Sequence, residues 1–99
     1  MLPKARFTEK NPEQRIVAGN SGIISCSAEG TPAPQIEWKR QDETPLDKGR
    51  FTQLSNGSLC INPVHPQDKG MYICTFRQNK GSERATEEEQ TIYVFVISE

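Results

Sequence analysis

Apolar residues in this chain recur at every second position, in short runs separated by turn residues. In "GIISCSA" Ile24, Cys26 and Ala28 share one face, and in "QIEWKR" Ile36 and Trp38 stand together against Glu37 and Lys39. "RIVAG" reads as a further brief strand. "SLCINPV" turns Leu59 and Ile61 to one side and Cys60 to the other, "MYICTF" aligns Tyr72, Cys74 and Phe76, and "TIYVFV" closes the chain. Side chains two apart on a strand point the same way, so each run predicts a strand with one buried face. The stretches "EGTPAPQ", "QDETPLDKG", "SNGS", "HPQDKG" and "NKGSE" supply the turns, and prolines or glycines break nearly every window that would hold a helix. Short strands at regular spacing predict an all-β sandwich or barrel.

Composition narrows the function classes. With 99 residues the chain is one domain's worth. A net charge of −1 offers no basic footprint for nucleic acid or an anionic membrane surface. No apolar run approaches the roughly 18 residues that span a bilayer. The N-terminal "MLPKARFTEKNPEQ" lacks the apolar core of a signal peptide, so residues 1–99 read as one domain cut from a larger protein. The acidic triplet Glu87 to Glu89 is the sole charge run.

The stretch "QDKGMYIC" places Asp68, Gly70, Tyr72 and Cys74 at alternate positions. Asp68 and Gly70 lead through a turn into the strand, and an inward tyrosine needs a partner for its hydroxyl. Backbone groups in that turn could supply it. Three cysteines, Cys26, Cys60 and Cys74, leave at least one unpaired within the chain, and spacing alone does not choose the pair. A metal centre is not expected: there is no CxxC, and His65, the one histidine, stands in a proline-bearing turn.

Cys26, Trp38 twelve positions later, and Cys74 in the Asp-x-Gly-x-Tyr-x-Cys run together resemble the immunoglobulin-domain signature. "GTPAPQIEW", "VAGNSGIISC" and "NGSLCI" resemble segments of its intermediate (I-set) class. The similarity runs from about Phe7 to Val96, with the core expected between residues 7 and 97. It implies an immunoglobulin-like two-sheet Greek-key β-sandwich with an inter-sheet disulfide between Cys26 and Cys74, packed against Trp38. It further implies a Tyr72 hydroxyl bonded to backbone near Asp68, and an Asp68 paired with Arg50 at the head of the strand "RFTQLS". The chain departs from the pattern at Gly22, where the family usually buries a valine-like residue, so that strand is expected to be locally loose. The long polar segment from Gln78 to Gln90 leaves the start of the last strand open.

Cys60 is expected as a free thiol on the outside of its sheet, behaving as a small apolar residue. Asn56-Gly57-Ser58 is both an Asn-Gly hairpin turn and a candidate N-glycosylation site. A Ser–His–acid site, a phosphate-binding loop or a cofactor site finds no convergent groups, so neither an enzyme nor a cofactor is expected. On the two strands nearest the C-terminus, an inward Tyr72, Cys74, Ile92 and Val94 leave Met71, Ile73, Tyr93 and Phe95 outside, with Glu37 and Lys39 beside them. Clustered apolar groups on a solvent face mark an interaction site. The resemblance implies a protein-binding module of a cell-surface or secreted adhesion or receptor protein. Its partner would be a protein, homophilic or heterophilic, with no nucleic acid or small-molecule substrate. Membrane attachment would come only through an anchor elsewhere in the parent. The alternative is an intracellular I-set domain of a titin-like muscle or cytoskeletal scaffold, serving as spacer or docking unit.

Overall fold

A computed structural model describes residues 4–79, 81 and 84–98. Among these residues, alternation of apolar and polar positions is realised as nine strands: β1 (Arg6–Phe7), β2 (Glu13–Val17), β3 (Gly22–Ile24), β4 (Ala28–Glu29), β5 (Gln35–Arg40), β6 (Phe51–Gln53), β7 (Leu59–Ile61), β8 (Gly70–Gln78) and β9 (Thr86–Ile97). A 3-10 turn, Pro66–Asp68, precedes β8. The strands form a four-stranded sheet in the order β2-β9-β8-β5 and a three-stranded sheet β3-β7-β6, while β1 and β4 make a short ribbon. β2 runs parallel to β9; the remaining pairs are antiparallel.

The two sheets bury a common core. Ile24, Leu59 and Ile61 from the smaller sheet meet Ile16, Tyr72, Cys74, Ile92 and Val94 from the larger one. A disulfide joins Cys26, just past β3, to Cys74 in mid-β8, with their Cα atoms 6.7 Å apart. Trp38 lies opposite Cys74 in the β5–β8 register and packs against this cluster. Its indole Nε1 donates to the Gly57 carbonyl across the sandwich at 2.7 Å. Cys60 remains a free, half-buried thiol, between Ile23 and Thr52 on neighbouring strands.

One strand expectation needs correction: "GIISCSA" is not one strand, for β3 stops at Ile24 and β4 resumes at Ala28. Between them, side chains take the backbone bonds. Gln14 accepts from Ser25 N at 2.7 Å and donates to Ser25 O at 2.9 Å, and Ser58 Oγ accepts from Cys26 N at 3.3 Å. Asn56-Gly57 lies in the hairpin loop that joins the antiparallel β6 and β7, as the sequence led us to expect. Gly57 N donates to Leu54 O at 2.9 Å and Leu54 N to Ser58 O at 2.7 Å, making a three-residue loop with Gly57 at φ +99°. Asn56 is not left-handed; the glycine carries the positive φ, as such loops require. The start of the last strand, left open by the sequence, lies at Thr86, inside the polar segment. The "NKGSE" turn lies partly outside the described residues, at Lys80, Ser82 and Glu83.

Gly22 is tightly enclosed, not loose. A Cβ there would lie 2.9 Å from Ile16 Cβ and 2.9 Å from Val64 Cγ2. The volume of the missing side chain is already filled by neighbours from β2 and the loop after β7. Gly22→Ala should therefore destabilise the domain by about 1–3 kcal/mol, since overpacking displaces neighbours. A urea melt with an unchanged or raised midpoint would show that the site has room.

Candidate functional site

The site begins with the device that fixes the register of β8. Asp68, almost fully buried at 1% exposure, receives both Arg50 guanidinium nitrogens, at 2.7 Å on one oxygen and 2.9 Å on the other. His65 N donates to the same carboxylate at 2.7 Å, so the charge is met from three directions. The Tyr72 hydroxyl donates to the Asp68 carbonyl at 2.6 Å. Arg40 closes the corner from β5, donating to Gln67 O at 3.1 Å and Lys69 O at 2.6 Å, with its guanidinium 5.0 Å from the Tyr72 ring centroid. Gly70, at φ +135°, passes so close that a Cβ would lie 2.9 Å from Arg40 Nη2.

Electrostatics follow from this geometry. Burial pushes the Asp68 carboxyl up, but the Arg50 hydrogen bonds, the His65 N–H and the Arg50 charge outweigh it and hold it below the ordinary carboxylate value. Burial pushes the Tyr72 phenol up to about 12.

With Tyr72 and Cys74 locked inward, alternation sends Met71 and Ile73 outward. β9 continues the pattern without a bulge, pairing from Gly70–Val94 through Gln78–Thr86. Ile92 and Val94 are fully buried, while Tyr93 and Phe95 are each 36% exposed on the outside. Met71 stands opposite Tyr93, and Ile73 has Thr91 on one side and Lys39 on the other. The Tyr93 and Phe95 rings lie 4.6 Å apart at 60°. Glu37, beside Thr75, completes the rim expected from the sequence.

Pairing of β2 with β9 extends this face beyond what the sequence suggested. Arg15 stands opposite Phe95, its guanidinium 5.2 Å from the ring centroid, and Val17 stands opposite Ile97. A partner for the last strand from the start of the chain leaves no local signal, so these residues were not anticipated. The glycosylation candidate Asn56 is exposed in the β6–β7 loop, where its side-chain oxygen accepts from Ser58 N at 2.9 Å. Among the described residues, no cluster of three or more His, Cys, Asp or Glu is placed to hold a metal.

A family model for "Immunoglobulin domain" (Ig_3) matches residues 3–77. The chain belongs to the immunoglobulin-domain family. The core protein of the basement membrane-specific heparan sulfate proteoglycan of Mus musculus is 36% identical over 75 residues, covering 75% of this chain and 2% of that protein. Vascular cell adhesion protein 1 of Homo sapiens is 36% identical over 73 residues, covering 73% of this chain and 9% of that protein. A solved structure of Sidekick-1 immunoglobulin domains 1–4 superimposes with a TM-score of 0.77 at 25% identity, covering 97% of this chain and 25% of that one. The chain thus spans less than a tenth of these two curated relatives. Immunoglobulin domains of adhesion and receptor proteins are non-catalytic, and this one is not an enzyme.

Two outcomes test the corner. Tyr72→Phe should cost about 1–3 kcal/mol of stability, because the buried Asp68 carbonyl loses its donor; a urea midpoint equal to wild type would mean that the bond contributes nothing. The depressed Asp68 value stabilises the fold above the unfolded carboxylate value near 3.9, and that share is lost as pH falls through the folded value. Asp68→Asn should therefore be less stable at pH 7 and should flatten the acid limb of a stability profile; an acid limb as steep as wild type would assign it to other carboxylates.

Proposed function

We propose that this immunoglobulin domain is a protein-binding module of a cell-surface or secreted adhesion or receptor protein. It engages its partner through the outer face of the four-stranded sheet. The carrying observation is the outward Tyr93–Phe95 pair, continuous with Met71 and Ile73 and rimmed by Glu37, Lys39 and Arg15. Large rigid aromatic groups at the centre and charges at the rim are the composition that interfaces favour. The charges would tune encounter rate and choice of partner more than affinity.

The compartment reading has separate support. A disulfide across the core belongs to oxidising surroundings, which favours an extracellular domain over a reduced cytoskeletal spacer. Kinship with adhesion and matrix proteins points the same way. In such a compartment the exposed Asn56 sequon would be available for a glycan.

Tyr93→Ala and Ile73→Ala should each weaken binding of the parent protein to its partner by fivefold or more, about 1 kcal/mol, as truncating an interface anchor does. Surface plasmon resonance with the parent ectodomain reads the loss, and thermal melts check that the fold persists. Full binding by both variants would move the site to the loops or to neighbouring domains.

A further inference from the structure

We infer that β5 is a self-pairing edge: two copies of this chain join antiparallel through it, with Trp38 on the two-fold axis. The partner is a second copy of the same chain, and the two four-stranded sheets become one. This does not rest on the reading of the outer face, and would hold with the aromatic pair left bare.

Among the described residues, β5 is the terminal strand of its sheet and pairs with β8 alone. The directions of its backbone groups follow from two bonds. Gln41 N donates to Met71 O, so odd-numbered residues face β8. The Ile36 carbonyl instead accepts from Gln53 Nε2 of the other sheet, so even-numbered residues face away from β8. Ile36, Trp38 and Arg40 therefore direct their N–H and C=O groups to the open side, where the Arg40 carbonyl already accepts from Glu43 N at 3.0 Å. The Ile36 and Arg40 carbonyls each keep a second lone pair beyond the bonds from Gln53 and Glu43. Such an edge is a template for another strand.

The charges choose the register. Glu37 and Lys39 are exposed on the outer face, and neither makes an ion pair among the described residues. A two-fold axis at Trp38 sets Trp38 against its own copy and Ile36 against Arg40 of the second copy, so outward-directed groups meet. It also sets each Glu37 opposite a Lys39. Moving the axis one residue either way keeps the backbone bonds but puts Glu37 against Glu37 or Lys39 against Lys39. Directly opposed like charges destabilise a strand pair and opposite charges stabilise it. A charge on an edge ordinarily blocks pairing. Two opposite charges flanking the central residue block every register of this set but one. An interface that reads the same from both subunits is what a closed dimer needs.

Sedimentation equilibrium of the unglycosylated 99-residue chain tests this. Wild type should self-associate with a Kd between about 10 μM and 1 mM, as befits a small contact. Glu37→Lys and Lys39→Glu should each weaken association about tenfold, because both cross-strand pairs become like-charged. The double variant, Glu37→Lys with Lys39→Glu, should restore it, and an equimolar mix of the two single variants should form heterodimers. Both sites of change, Glu37 and Lys39, are exposed, and circular dichroism verifies the fold. A chain that stays monomeric to about 1 mM overturns the inference. So does association that ignores single reversals, or that the double variant does not restore. If Tyr93→Ala abolishes association while charge reversal does not, the copies meet face to face; the edge is then refuted and the outer face retained. If charge reversal acts while Tyr93→Ala leaves self-association intact, the edge stands whatever the face binds.

Discussion

The placement of both faces of this domain hangs on one register, set where Asp68, Arg50 and Tyr72 meet. β8 is the central connection of the larger sheet, with β9 on one side and β5 on the other. Shifting β8 by a single residue would turn Cys74 away from Cys26 and drive Ile73 into the core. The corner prevents that shift by fixing the strand where it starts. Its buried carboxylate is tolerable because two guanidinium nitrogens and a backbone N–H satisfy it. An isolated buried charge would be far costlier. The same pair ties β6 of the smaller sheet to the turn before β8, so the lock acts between sheets as well as along a strand.

Much of this architecture was legible in the sequence because alternation and burial coincide on β5, β7, β8 and β9. Leu59 and Ile61 are buried with Cys60 turned outward, and Ile92 and Val94 are buried with Tyr93 and Phe95 outside. The immunoglobulin signature sits on the residues with least freedom: the disulfide, the tryptophan on it and the corner tyrosine. Those positions are over-determined, so a pattern can stand for a geometry. The aromatic pair was legible as a consequence of the same alternation, carried outward from Tyr72 and Cys74.

What escaped reading was polar and non-local. Three glutamines that look like surface residues tie the beginning of the chain to the sandwich. Gln78, fully buried, accepts from Ala5 N at 3.1 Å and donates to Pro32 O at 2.8 Å. Gln90 donates to Glu9 O at 3.1 Å and to Cys26 Sγ at 3.0 Å, and Gln14 serves both backbone groups of Ser25. A side-chain amide has a donor and an acceptor, so it can replace a missing strand partner where regular pairing lapses. No periodicity announces that role. Gly22 misled for a related reason: a missing side chain reads as a void unless the neighbours filling it, Ile16 and Val64, are already known.

The division of labour between the two faces explains how the domain can carry an apolar patch on its surface. The even-numbered inward residues of β8 and the disulfide secure stability, so the outward ones are not needed to hold the fold. Tyr93 and Phe95 limit their own exposure by packing on each other, and Arg15 lies over Phe95 while keeping its charge in water. The patch is thus half-covered, which lowers the cost of waiting without a partner. It is also contiguous with β5, since Lys39 lies beside Ile73 and Glu37 beside Thr75. A second copy joined along that edge would present two such patches on one continuous sheet, doubling the surface offered to a partner while leaving each core untouched.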